Sequence, residues 1–207
     1  MANTPPKTNT PYTLTASSPL DGHSIILDGT SLVEITNLSM VSVTPSASHE
    51  EEFKAAIFKL FVGDQLNAVT AHEGRGEKNY LFLPSAHGQW FLCFYNDGVD
   101  PIDAANSLLG KKLSNQLSIT DQSDAWLVLA LTGPLVRRTL ERICPIDCSA
   151  SAMPVGTTAR TMIEHLGAII VRRPDDNDAN PCFWLLSARS SASSFLHALI
   201  ASPPFTI

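Results

Sequence analysis

Apolar positions along this chain change their period several times, and each change marks an element. Across residues 32–43, Leu32, Val33, Ile35, Leu38, Met40, Val41 and Val43 lean towards the two-residue spacing of a strand, with an interruption near Asn37 and a stop at Pro45. Ser48 and Glu51 form a capping-box pattern, and Phe53, Ala56, Ile57, Leu60 and Phe61 then recur at helical spacing until Gly63. Residues 64–78 read as a loop. Residues 80–83 and 89–95 are strand-like runs joined by Pro84, Ser85, Ala86, His87 and Gly88, which predicts a hairpin. Asp100 before Pro101 predicts a capped helix whose inner stripe is Ile102, Ala105, Leu108 and Leu109, and residues 116–119 read as a short strand.

The second half carries the same theme with differences. Residues 126–131 are wholly apolar, as a central strand covered on both faces would be, and Thr132, Gly133 and Pro134 turn that strand into a helix bearing Leu135, Val136, Leu140 and Ile143. Residues 157–163 and 168–172 read as paired strands with 164–167 between them. A polar loop at 173–181, a strand at 182–187 and a helix capped by Ser190 or Ser191 follow, with Ala192, Phe195, Leu196 and Leu199 facing inward and Pro203 and Pro204 ending the helix. The fold class is α+β, with two ferredoxin-like, split βαβ lobes. The boundaries are an arm at 1–24, containing Pro5, Pro6, Pro11 and Pro19, an N-terminal lobe at 25–120 and a C-terminal lobe at 121–207.

Composition narrows the function classes. Of 207 residues, 44% are apolar and 16% charged, against roughly 25% charged in an ordinary soluble domain, so core material is ample and the surface lightly charged. A net charge of -6 argues against nucleic acid and anionic membrane as partners. No apolar run reaches the roughly 20 residues that span a bilayer. Residues 1–18 lack the basic start and apolar middle of a secretory signal, which points to the cytoplasm and a reducing setting. The four cysteines, Cys93, Cys144, Cys148 and Cys182, contain no C-x-x-C and read as thiols in or near the core.

The search for chemistry finds fragments. Cys144-Pro145-Ile146-Asp147-Cys148 offers two sulfurs and a carboxylate, but the spacing is wrong for a zinc knuckle and neither His165 nor His197 belongs to a spaced pair, so a rigid helix exit is the better reading. Asp121, Ser123 and Asp124 could place a general base at a strand end, yet they spell a polar turn. No G-x-S-x-G occurs, and Ser190, Ser191, Ser193 and Ser194 fit a helix start. His72, Glu73, Gly74, Arg75 and Gly76 make only a weak phosphate clasp, since neither nucleotide-binding glycine motif is present. Arg137, Arg138, Arg142, Arg160, Arg172 and Arg173 could grip acidic groups of a partner or lie on a solvated face. No catalytic, cofactor-binding or metal-binding residue is nominated.

One combination is more specific than its parts. Asp121-Gln122-Ser123-Asp124-Ala125-Trp126 runs into Leu127-Val128-Leu129-Ala130-Leu131-Thr132-Gly133-Pro134. Arg137, Leu140, Cys144-Pro145-Ile146-Asp147, Met153-Pro154-Val155-Gly156, Ala159-Arg160-Thr161 and Ser194-Phe195-Leu196-His197-Ala198-Leu199 follow. In order and spacing this series resembles the gamma subunits of heterotetrameric sarcosine oxidases. The likeness covers about residues 117–200. The first half agrees in length and element order but poorly in letters, with Pro84-Ser85-Ala86-His87-Gly88-Gln89-Trp90 where that family has a Gly-Pro-Asp-Glu-Trp-like turn. The wider relatives are the folate-binding aminomethyltransferases of the glycine cleavage system.

The resemblance implies the aminomethyltransferase-like fold and a structural, non-catalytic role in oxidising sarcosine to glycine, hydrogen peroxide and 5,10-methylenetetrahydrofolate. It implies alpha, beta and delta subunits as partners. FAD, FMN, NAD, tetrahydrofolate and zinc would then reside on those chains and none on this one. In the transferases a carboxylate after the corresponding glycine-rich turn approaches folate. Leu166, Gly167, Ala168, Ile169 and Ile170 stand there in this sequence, with Glu164 ahead of them. A free-standing folate-binding module is the alternative.

Overall fold

The computed structural model describes residues 15, 17–61, 72–73, 80–95 and 98–205. Its first element is a hairpin of β1 (Ser24–Leu27) and β2 (Thr30–Glu34), closed by Asp28 and Gly29 with φ of 50° and 72°. That two-residue loop needs positive φ at both positions, which Asp tolerates and Gly adopts freely. The extended segment foreseen at 32–43 is thus two strands, β2 and β3 (Leu38–Pro45), separated where Asn37 interrupts the pattern.

The first sheet has the order β4-β5-β6-β3-β7, from β4 (His72–Glu73), β5 (Tyr80–Ala86), β6 (Gln89–Tyr95) and β7 (Leu117–Asp121). With α1 (Glu50–Phe61) after β3 and α2 (Pro101–Leu109) and α3 (Lys111–Ser114) after β6, its four longer strands follow the split βαβ plan. β5 and β6 join through His87 and Gly88, with an irregularity between Pro84 and Ala86. Asp100 caps α2 as foreseen, accepting from the amides of Ile102 at 2.9 Å and Asp103 at 3.1 Å. Ile102 does not face the core, however. It lies in the first turn, 36% exposed, and Ala104, Ala105 and Leu109 form the buried stripe. Ser48 caps nothing: the chain already turns at Ala47–His49, and the Ser48 hydroxyl meets His49 Nδ1 at 3.0 Å.

The second sheet has the order β1-β2-β8-β11-β10-β9, from β8 (Trp126–Thr132), β9 (Thr158–Ile163), β10 (Leu166–Arg173) and β11 (Cys182–Ala188), with every pair antiparallel. α4 (Val136–Ile143) follows β8, and α5 (Ala192–Ile200) follows β11. A 3-10 turn at Arg189–Ser191 leads into α5, so neither serine caps it by its side chain. The sheets therefore do not divide at residue 120. Residues 31–34 of β2 pair with β8 in the register Ser31↔Thr132 to Glu34↔Leu129, with β1 outside them at the sheet edge, because β8 is apolar on both faces and needs a neighbour along each edge. Residues 18–23 are tied to the same hairpin, so the expected arm at 1–24 does not extend to residue 24.

The layers follow from alternate residues. Val41, Val43, Phe82, Trp90 and Leu92 face Phe53 and Ile57 of α1 and Ala105 and Leu109 of α2. Leu127, Leu129, Leu131, Ile170, Phe183 and Leu185 face Val136 and Leu140 of α4 and Phe195 and Leu199 of α5. The opposite faces pack on each other, Met40, Leu81, Leu83, Phe91 and Cys93 against Val128, Ile169, Val171, Trp184 and Leu186. The result is helix, sheet, sheet, helix, which explains why the strands carry continuous apolar runs. Among the described residues no helix is long and apolar enough to cross a membrane.

Candidate functional site

Where β2 leaves one sheet and β8 enters it, side chains from both chain halves border a cavity of about 230 Å³. Glu34, Met40, Asp124, Trp126 and Arg189 line it, with Ser17, Ser18 and Pro19 along its rim. Glu34 is only 6% exposed, and its carboxylate has partners: it accepts from the Ser18 hydroxyl at 2.5 Å, the Gly22 amide at 2.7 Å and the Leu20 amide at 3.2 Å. Arg189 Nη2 donates to the Ser17 carbonyl at 2.5 Å. Trp126 is braced edge-on by Phe91, centroids 5.3 Å apart. It also borders a second cavity of about 180 Å³ lined by Arg160, Gly167, Ser187 and Ser191. Arg160 Nη1 donates to the Ser85 carbonyl at 3.0 Å, tying β9 to β5 across the two sheets. An aromatic wall beside carboxylates and a guanidinium can hold and orient a small polar, planar group.

Several groups noted in the sequence are used by the fold. Asp121 Oδ1 accepts from the Ser123 amide at 2.9 Å and the Ser123 hydroxyl at 2.7 Å, a side-chain turn leading into β8. Cys144 ends α4, and Asp147 accepts from the Ser149 amide at 2.8 Å, which with the Ser149 hydroxyl holds its carboxyl below the usual range. Among the described residues no group of three or more His, Cys, Asp or Glu is placed to hold a metal ion. His72 and Glu73 belong to β4, while Gly74, Arg75 and Gly76 lie outside the described residues. Glu164 sits exposed in the two-residue turn between β9 and β10, at φ 53°.

The arginines divide. Arg172 is buried, donating to the carbonyls of Arg173 and Cys182 and pairing with Asp175, so it is a structural group and lies on no solvated face. Arg137 and Arg172 both pack on the Phe183 ring, at 5.4 and 5.2 Å. Burial first, then the nearby Arg172 charge, lowers the Arg137 pKa, and its guanidinium donates to the Cys148 carbonyl. Arg160 and Arg189 reach cavities. Arg160 belongs to the resemblance series, whereas Arg189 and Glu34 fall in no motif. A carboxylate two residues after Leu32 in a strand shares its inward face, and that parity was the available signal.

No protein-family model matches the chain, and no curated protein matches it. Solved structures do. A chain of the heterotetrameric sarcosine oxidase from Corynebacterium sp. U-96 superposes with a TM-score of 0.65 at 19% identity, covering 86% of each chain. The glycine cleavage system aminomethyltransferase T from Bartonella henselae superposes with a TM-score of 0.57 at 13% identity, covering 83% of this chain but 45% of that one. This chain has the fold those two share. Within that fold the resemblance series falls on the turn into β8, on β8, α4 and its exit, on β9 and on α5. Gly133 shows why one of its positions is a glycine. At φ 139°, a Cβ there would stand 2.5 Å from Thr30 Cα and 2.6 Å from the Gly29 carbonyl oxygen, so the turn after β8 closes directly onto the first hairpin. The Thr30 hydroxyl then accepts from the Leu135 amide at 3.2 Å.

Proposed function

We propose that this chain is the gamma subunit of a cytoplasmic, heterotetrameric sarcosine oxidase-type complex, contributing shape and contact surface while other chains carry out the redox chemistry. The observation that carries this reading is the end-to-end likeness: the match takes in 86% of this chain and the same share of a chain from such an oxidase. FAD, FMN, NAD, tetrahydrofolate and zinc are assigned to the alpha, beta and delta partners. This chain's own part is to bury lightly charged, apolar surface against larger chains, which stabilises an assembly once association costs are met. The test is co-expression with flavin-bearing alpha and beta candidates. Co-purification with flavin absorbance, and a loss of sarcosine-dependent peroxide production when this chain is omitted, are expected. Full activity without it overturns the role.

The Trp126 cavity favours a second reading, a folate-binding module, because an aromatic wall with Glu34 and Arg189 beside it suits a heteroaromatic ring with an acidic tail. Calorimetry with tetrahydrofolate on the isolated chain separates the two. Saturable heat that is lost in Trp126→Ala favours the module, and no heat leaves the subunit reading.

A further inference from the structure

The Trp126 cavity holds one unanswered charge of each sign. The fold itself uses most of its polar groups: Glu34 accepts from Ser18, Leu20 and Gly22, and the Ser123 hydroxyl meets Asp121 and the Met40 carbonyl. Asp124 and Arg189 differ. Asp124 is exposed, and among the described residues no donor or cation meets its carboxylate. Arg189 is half-buried, and its guanidinium has the Ser17 carbonyl but, among the described residues, no carboxylate. The backbone fixes where the two stand. Ala188 pairs with Trp126 across β11 and β8, and the Arg189 amide donates to the Ala125 carbonyl at 2.9 Å, so Arg189 stands across from residues 124–126. No ion pair joins Asp124 to Arg189, and the Trp126 indole, braced by Phe91, lines the same cavity.

We infer that this cavity binds a small α-amino acid as its zwitterion, with the carboxylate on Arg189 and the ammonium on Asp124 beside the Trp126 ring. The inference goes beyond the folate reading, which makes no use of Asp124. A guanidinium meets a carboxylate with paired N–H donors, and an ammonium gains from a carboxylate and from an indole alike. In a niche partly withdrawn from water these contacts are stronger than between freely solvated ions. The cavity measures about 230 Å³, and its remaining wall of Ile35, Leu38, Met40 and Val128 is apolar, which selects a short, uncharged side chain. A simple anion or a simple cation answers one charge and leaves the other as it was. The buried Glu34 carboxylate adds negative potential and disfavours simple anions further.

Tryptophan fluorescence of the full chain reads this site, because Trp90 and Trp184 are each 7% exposed whereas Trp126 is half-buried at the cavity. The test titrates glycine, L-alanine and L-proline at neutral pH and constant ionic strength up to about 10 mM, enough to fill most of a site whose Kd is about 1 mM. Saturation is expected with at least one of them. Acetate and methylammonium, with one charge each, should bind at least about tenfold more weakly. Asp124→Asn keeps the shape and removes a carboxylate that the fold leaves unbonded, so its unfolding midpoint should stay while the Kd rises at least about tenfold. Flat titrations with all three amino acids, acetate binding as tightly as they do, or an undiminished affinity in Asp124→Asn overturns the inference. None of these readings involves tetrahydrofolate, whose calorimetric test succeeds or fails by itself.

Discussion

Glu34 is a charge on a buried face, and its cost is met locally by one hydroxyl and two amides from residues 18–22. Replacing it with alanine removes the acceptor for three donors at once. Glu34→Ala is expected to lose about 1–3 kcal/mol in urea unfolding and to open residues 17–22 to limited proteolysis, whereas the exposed Glu141 should be nearly neutral on the same substitution. Cys93 gives a pH signature. Burial, opposed by Arg173, raises its folded pKa from 9.0 to about 12, so the folded state holds the proton more tightly. Its contribution is complete below about pH 9 and fades as pH rises towards 12, at up to about 1.4 kcal/mol per pH unit. Cys93→Ala should flatten the alkaline limb of the stability curve relative to the unsubstituted chain.

At the scale of elements, caps and turns differ in what they hold. Asp100 accepts two amides at the start of α2, so Asp100→Ala should cost about 0.5–2 kcal/mol. Ser191 makes no such bond, and Ser191→Ala should leave the midpoint unchanged within error. Gly133→Ala combines a strained φ with collision against the Thr30 backbone, and a loss of at least about 2 kcal/mol in chemical denaturation is expected. Most of these elements were legible. Asp100-Pro101 announced α2, and the run from Trp126 announced β8. The β1–β2 hairpin is less legible although Asp28-Gly29 is a strong two-residue turn signal, because Ser24–Leu27 is a short edge strand whose letters do not alternate. The serine caps at 48 and 190–191 failed for one reason: a 3-10 turn starts the helix earlier and moves the hydroxyl off the orphan amides.

For the molecule as a whole, the order of elements in the first half carried the split βαβ plan, but the partnership of the sheets was hidden. A strand apolar on both faces shows that it is covered twice without showing what covers it, so Val128 and Leu129 look alike in sequence while one faces a sheet and the other helices. For the same reason the Trp126 cavity could not be foreseen, since Glu34, Trp126 and Arg189 meet only when β2 pairs with β8. A fragment of residues 121–207 lacks that pairing strand. It should aggregate or give broad amide resonances, whereas co-expression with residues 17–120 should restore dispersion.

The pairing of β2 with β8 also makes the molecule nested. The stretch from β3 to β7 leaves the second sheet and returns to it almost at the point of departure, for Val41 pairs with Asp121 and the Gln122 amide donates to the Met40 carbonyl at 2.8 Å. During synthesis the opening hairpin emerges long before the strand that completes it and waits while the enclosed sheet is assembled. With entrance and exit side by side, that enclosed unit is a cassette, and a short linker between its two stumps could bridge the gap it leaves.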